Sequence, residues 1–214
     1  MIRGIRTGIG ALIGSASIKM ASLVKISYIV GSYTAFFSGT CIAMPLIGAF
    51  GGITMSIATC LLGLVFGGGH SLLFLAHHIP GFCAALYWAT HHAVVRVGIP
   101  TVCFVMFVTH PVGSQAWPYA LYWLIPIVFY FANRTTLFMQ ALGSTFVAHA
   151  VGSVIWLYAV PMEPQAWLAL MPVVALERLT FAAGMVVVHT VIVGLIARSM
   201  KMLGAVRRLR EQKA

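Results

Sequence analysis

Long apolar runs separated by short polar or glycine-rich breaks dominate the chain. Runs at about 22–44 and 49–67 are divided by Pro45 and by Gly48, Gly51 and Gly52. Gly67-Gly68-Gly69 ends the second run. A stretch at about 71–95 follows, interrupted by His77-His78-Ile79-Pro80-Gly81. Further runs cover about 97–109, 117–132, 136–159 and 167–199, the last carrying Pro172 near its start. Apolar runs of about 20 residues predict membrane-crossing helices. A transmembrane barrel would instead alternate apolar and polar residues in segments of about 10, and these runs are continuous.

Composition sharpens that picture. The chain has 214 residues, of which 61% are hydrophobic and 7% charged. Its mean hydropathy is +0.99. Water-soluble domains carry roughly a quarter charged residues, so a soluble surface is excluded. The expected fold is all-α, a polytopic transmembrane bundle over 22–199, preceded by a cytoplasmic or interfacial leader at 1–21 and followed by a basic tail at 200–214. The leader, with Arg3, Arg6 and a short glycine-interrupted apolar stretch, reads as retained rather than cleaved.

The net charge of +10 does not point to nucleic acid. The basic residues gather at the ends and in short breaks, where they set topology. Lys19 and Lys25 flank the first run, and Arg198, Lys201, Arg207, Arg208 and Arg210 follow the last. Both termini are therefore expected in the cytoplasm. Working back from the C-terminus, the Glu163 loop falls outside, Arg134 inside, the 110–115 loop outside and Arg96 inside. An even number of crossings then requires about six spans, with 70–95 a broken or re-entrant segment. Seven spans would place the basic tail outside.

Candidate chemistry is sparse. The only acidic residues are Glu163, Glu177 and Glu211. Glu177 lies inside an apolar run beside Arg178, and an ionisable residue at membrane depth marks a functional site by default. Adjacent helical residues point about 100° apart, so an ion pair between them is not assured by spacing. Ser144, Ala148 and Gly152 form a ladder at four-residue spacing, with Thr145, His149 and Ser153 beside it. That side faces the bundle interior, and His149 is a candidate ligand contact or a structural histidine. Ser27, Gly31, Ala35 and Gly39 make a second small-residue stripe, suited either to packing within the chain or to docking a partner helix. Trp117, Tyr119, Tyr122 and Trp123 follow the 110–115 loop, and Trp156, Tyr158 and Trp167 flank the Glu163 loop. They form an interfacial belt or the stacking walls of a pocket.

Other chemistries find little support. Eight histidines invite metal binding, but no spacing puts two ligands on one helical face, and no metal or cofactor is expected. The four cysteines lack a CxxC or zinc pattern. There is no aspartate, no Gly-x-Ser-x-Gly elbow and no phosphate-binding loop, so an enzyme or a self-contained ATPase is not expected. A Ser–His or Glu–His pair beside a wet cavity would be needed for intramembrane catalysis.

Six helices, cytoplasmic ends, the stripe Ser27, Gly31, Ala35, Gly39 and the glycine-rich Gly48-Ala49-Phe50-Gly51-Gly52 resemble the substrate-binding S component of energy-coupling factor transporters. The resemblance implies a protein that captures a small solute such as a vitamin, and the compactness of the chain points to a bacterial inner membrane. It implies docking through the stripe onto a transmembrane coupling subunit with ATPases. It also implies an outward pocket formed by outer loops and the last three helices. The residues expected to bind solute are His110, Gln115, Trp117, Tyr122, His149, Trp156, Glu177 and Arg178. Of these, His149, Glu177 and Arg178 would fix polar groups, and Trp117, Tyr122 and Trp156 would supply apolar walls. A membrane-embedded structural or assembly subunit without ligand is the alternative from a different class, its stripes serving as subunit interfaces only. An intramembrane enzyme is the third.

Overall fold

The computed structural model describes residues 19–21, 23–30, 33–66, 72–132 and 135–211. The described residues form helices and one antiparallel hairpin. Strands β1 (Lys25–Val30) and β2 (Tyr33–Ser38) pair in the register Lys25↔Ser38 to Val30↔Tyr33. Helices α1 (Thr40–Phe66) and α2 (Leu72–Ala89) follow. A wide π turn at Val94–Gly98 leads into α3 (Ile99–Thr109). Next come α4 (Pro111–Gln115), a tight 3₁₀ segment at Trp117–Trp123 and α5 (Leu124–Phe131). Helices α6 (Leu137–Ala159), α7 (Pro164–Ala169) and α8 (Met171–Glu211) complete the described residues.

Three of the described helical segments are long and apolar enough to cross a membrane: Thr40–Leu62, Leu137–Ala159 and Met171–Met202. The apolar helices Val94–Thr109 and Trp117–Phe131 are shorter. Within the most apolar window of each long segment, 61% is buried in α6 but only 17% in α8. α6 is thus the central helix, and α8 turns most of its surface outward.

The hairpin replaces the first expected helix. Ile26, Tyr28, Ile29, Val30, Tyr33, Thr34, Phe36 and Phe37 are β-branched or aromatic residues that favour strands, and a Gly-Ser pair separates the two runs. Apolarity alone does not distinguish such a run from a helix. A two-stranded ribbon also leaves unpaired backbone on both outer edges, which hydrocarbon does not tolerate, so 25–38 does not add a lipid-exposed crossing.

The expected break at 78–81 is likewise absent. α2 runs unbroken through Pro80, losing one backbone hydrogen bond to the missing N–H. The kink falls in α1 instead. Gly52 takes φ +67°, a left-handed conformation that costs a side-chain-bearing residue energy and glycine little. At the other end, α8 does not stop near 199 but continues to Glu211, so part of the expected tail belongs to the last helix. Residues 1–18 of the expected leader lie outside the described residues.

Lipid supplies no hydrophobic drive for helices to associate, so close approach and interhelical hydrogen bonds carry the packing. Gly48 of α1 lies against the Ala85 backbone of α2, and Gly143 of α6 lies against the Tyr87 hydroxyl of α2. Trp88 Nε1 donates to Ser144 Oγ at 2.9 Å, also joining α2 to α6. A Cβ on Gly152 would sit 3.6 Å from Pro80. Ser144 and Gly152 of the small-residue ladder on α6 are therefore spent within the chain, against α2. At the other end of the bundle Phe107 is fully buried, with Trp123 and Trp167 edge-on to it at 5.1 and 5.3 Å between ring centroids. This aromatic cluster fixes the 3₁₀ segment and α7 against α3.

Candidate functional site

A cavity of about 380 Å³ opens between α1, α2, α6, α7 and α8. Its longest wall is one face of α6: Thr145, Ala148, His149, Gly152, Ser153 and Trp156. These positions recur at three- and four-residue spacing, which keeps them on one side of a helix. The opposite side comes from the first turns of α1 and from the middle of α2, where Gly81 and Ala84 leave room. Tyr119 closes one end from the 3₁₀ segment, Trp167 enters from α7, and Arg178 and Phe181 enter from α8.

The polar groups on this wall form two systems. Tyr119 Oη and Ser153 Oγ stand 3.4 Å apart, and Ser153 Oγ is also 3.4 Å from His149 Nε2. At that length both are weak hydrogen bonds, and they leave the phenol, hydroxyl and imidazole connected. The Tyr119 ring also lies 5.5 Å from His149 and 5.0 Å edge-on from Trp167. In the second system, Arg178 Nη2 donates to Glu177 Oε2 at 3.2 Å. The Arg178 and Glu177 side chains are 13% and 15% exposed, so this ion pair is largely withdrawn from solvent. The Arg178 guanidinium carbon also lies 4.7 Å from the Phe181 ring centre, a cation–π contact that is stronger when desolvated.

Two donors on the wall have no acceptor. Arg178 Nε and Trp167 Nε1 are both buried and unpaired. The other indole on the wall differs: Trp156 Nε1 donates to Met162 Sδ at 3.2 Å.

The structure distributes the expected solute-binding residues unevenly. His149, Trp156 and Arg178 line the cavity, and Glu177 is bonded to one of them. Tyr122 braces the 3₁₀ segment instead, donating to the Met171 carbonyl at 3.0 Å and stacking on Phe146 at 5.5 Å. His110 caps α4, its Nδ1 accepting from the Val112 N–H at 3.3 Å. Gln115 Nε2 donates to the Pro111 carbonyl, and Trp117 stands 52% exposed. These last four are not on the cavity wall.

Sequence reasoning passed over Ser153 and Phe181 as binding residues and gave Tyr119 and Trp167 only within a wider group of candidate stacking walls. Ser153 carried a signal, since it sits on the same helical side as His149. Tyr119 and Trp167 stood among the aromatics near the outer loops, with nothing in spacing to rank them above Trp117. Phe181 had no signal beyond lying one turn from Arg178.

The proposed docking stripe does not form a helix face. Ser27 sits on β1 opposite Phe36, and Ala35 on β2 opposite Tyr28. Gly39 follows the hairpin, its N–H bonded to the Val24 carbonyl at 3.0 Å, and Gly31 lies outside the described residues. The hairpin turn puts Ser27 and Ala35 on different strands, so the four-residue spacing no longer makes one continuous stripe. Among the described residues, no three of the types His, Cys, Asp and Glu come together as a metal site. No protein-family model, curated protein or solved structure matches this chain.

Proposed function

We propose that this chain is a membrane protein that captures a small ring-bearing solute for uptake. The observation that carries the reading is the cavity of about 380 Å³, whose wall joins His149 and Arg178 to the rings of Tyr119, Trp156, Trp167 and Phe181. Small-molecule sites are mostly apolar concavities of about 300–1,000 Å³ with a few polar groups to fix orientation. In the fuller proposal the chain makes about six crossings in a bacterial inner membrane, with both termini cytoplasmic. It works as the S component of an energy-coupling factor transporter works, with a transmembrane coupling subunit and its ATPases supplying the energy. Three apolar helices of crossing length support the membrane part. The transport part rests on the cavity and on the resemblance in sequence. A bundle serving only as a structural subunit would have no need of a cavity with a charged wall.

The test is native mass spectrometry of the full chain, released from its source membrane in mild detergent. The wild type is expected to retain a molecule of vitamin size, and Ala148→Trp, which fills the cavity from α6, is expected to lose it. His149→Ala and Glu177→Gln should each weaken retention. Unchanged retention in all three variants would end the assignment of the cavity as the binding site.

A second reading draws on the Ser153–His149 pair at 3.4 Å, a hydroxyl and an imidazole at the edge of hydrogen-bond reach, as a nucleophile and base would be. Loss of turnover of an ester probe in Ser153→Ala, with solute retention intact, would favour it.

A further inference from the structure

We propose that α8 holds an anionic phospholipid where it leaves the hydrocarbon, with Arg198 and Lys201 on the phosphate. This goes beyond the cavity and stands whether or not the cavity takes a solute.

Leu179–Ala197 contains no Asp, Glu, Lys or Arg. As part of α8 it is about 30 Å long, the thickness of the hydrocarbon. Arg198 follows at once, and Lys201 lies about 4.5 Å further along the axis. That is the depth of the lipid headgroups. Residues three apart are neighbours on a helix surface, so the two cations stand side by side. Both are exposed, and neither forms an ion pair among the described residues. The next carboxylate in the chain, Glu211, is about 15 Å from Lys201 along the axis. Two unmatched cations at headgroup level have their complement in a phosphate that gives its lipid a net negative charge.

The same side of the helix is apolar on the bilayer side of the pair. Val191, Leu195 and Arg198 follow at four- and three-residue spacing, which keeps them on one face. Val191 and Leu195 are exposed. An acyl chain lies along them while the phosphate meets the cations, so the ligand is a lipid and not free phosphate. Arg207, Arg208 and Arg210 also belong to α8, but they lie about 14–18 Å beyond Arg198. That exceeds a Debye length of about 8 Å, so the distal three contribute less than the proximal two. The bound lipid fixes the depth of α8 in its leaflet. The same helix carries Arg178 on the cavity wall, about 30 Å away.

The test is native mass spectrometry of the full chain, released from micelles that hold equal amounts of a phosphatidylglycerol and a phosphatidylcholine with the same acyl chains. A cation close to an anionic surface is worth about fivefold in binding, so the wild type is expected to retain phosphatidylglycerol about tenfold or more over phosphatidylcholine. Arg198→Gln with Lys201→Gln should bring the two lipids near parity. Arg198→Lys with Lys201→Arg should keep the preference, and Gln at 207, 208 and 210 together should keep most of it. Circular dichroism reads whether each variant is helical; a wild type without preference overturns the site whatever the variants do. A preference that survives the change at 198 and 201, or that is lost instead with the distal three, would also overturn it. Displacement of the lipid by an equal concentration of glycerol 3-phosphate would assign the pair to free phosphate. An acidic protein lost from the 198 and 201 variant, at unchanged lipid counts, would assign it to a partner. Either result overturns the lipid.

Discussion

Arg96 donates from Nη2 to Gln140 Oε1 at 2.9 Å, tying the turn before α3 to the start of α6. Arg96 is fully buried and faces no carboxylate in this arrangement. Its Nη2 and Nε instead reach the carbonyls of Tyr87 and Thr90, at 2.9 and 3.1 Å. Those carbonyls close the C-terminal end of α2, where the helix dipole favours a cation. The guanidinium carbon also lies 4.2 Å from the Tyr87 ring centre. Arg96→Leu should therefore lower unfolding stability by about 3 kcal/mol, because it strands several buried acceptors. Gln140→Leu should cost less, and the double variant should cost less than the sum of the two. Thermal unfolding in one detergent measures all three. Additive losses would show that the two residues act apart.

The Gly143–Tyr87 contact predicts a rescue. A Cβ at position 143 would run into the Tyr87 hydroxyl, and that hydroxyl is buried without a hydrogen-bond partner. Gly143→Ala should destabilise by about 1–3 kcal/mol through overpacking. Tyr87→Phe removes the obstructing oxygen and should be close to neutral alone. Combined with Gly143→Ala it should recover most of the loss, and a combined variant no better than Gly143→Ala would remove the clash as the cause.

At position 48 no such rescue exists. The atoms in the way are the Ala85 backbone, which no side-chain change can move. Gly48→Ala should separate α1 from α2, with a loss of at least about 1–3 kcal/mol. Cysteine cross-linking between the two helices would report the separation as a lower yield.

On α6, Ser144 serves as acceptor for Trp88 Nε1 and donates to the Ala141 carbonyl at 2.8 Å. Ser144→Ala leaves the indole N–H of the half-buried Trp88 without this partner, at a cost of about 1 kcal/mol. Trp88→Phe removes the donor as well, so the pair of changes together should cost less than their sum. If the ladder on α6 were instead a docking face for another protein, Ser144→Ala would leave thermal unfolding of the isolated chain unchanged.

How far the sequence discloses this architecture depends on how local the deciding physics is. α6 was legible because its signals are local: a 23-residue apolar run with Thr136 as its cap, accepting from the Met139 N–H at 3.2 Å. His149 was legible for the same reason, through the small and polar side of that helix. The hairpin at 25–38 was not, because apolar content exceeded what either structure needs and the small-residue stripe mimicked a helix face. Pro80 and Gly81 read as a break, yet a proline inside a packed helix can be carried by its neighbours. Tyr119 was hidden by geometry: the tight turn of the 3₁₀ segment buries Tyr119, Ala120 and Trp123 while Trp117 and Leu121 stay exposed. Arg178 was legible as a charge inside an apolar run, but its unpaired Nε depends on which nitrogen Glu177 takes, and only the fold decides that.

The length of α8 has a mechanical consequence. It spans 41 residues, about 60 Å at the usual rise, against roughly 30 Å of hydrocarbon. Arg178 sits near one end, on the cavity wall, and Glu211 lies about 50 Å further along the helix. A rod anchored in this way works as a lever. Any tilt of so long a rod about its cavity end would carry the far end, where the sequence is densest in positive charge, through a much larger arc.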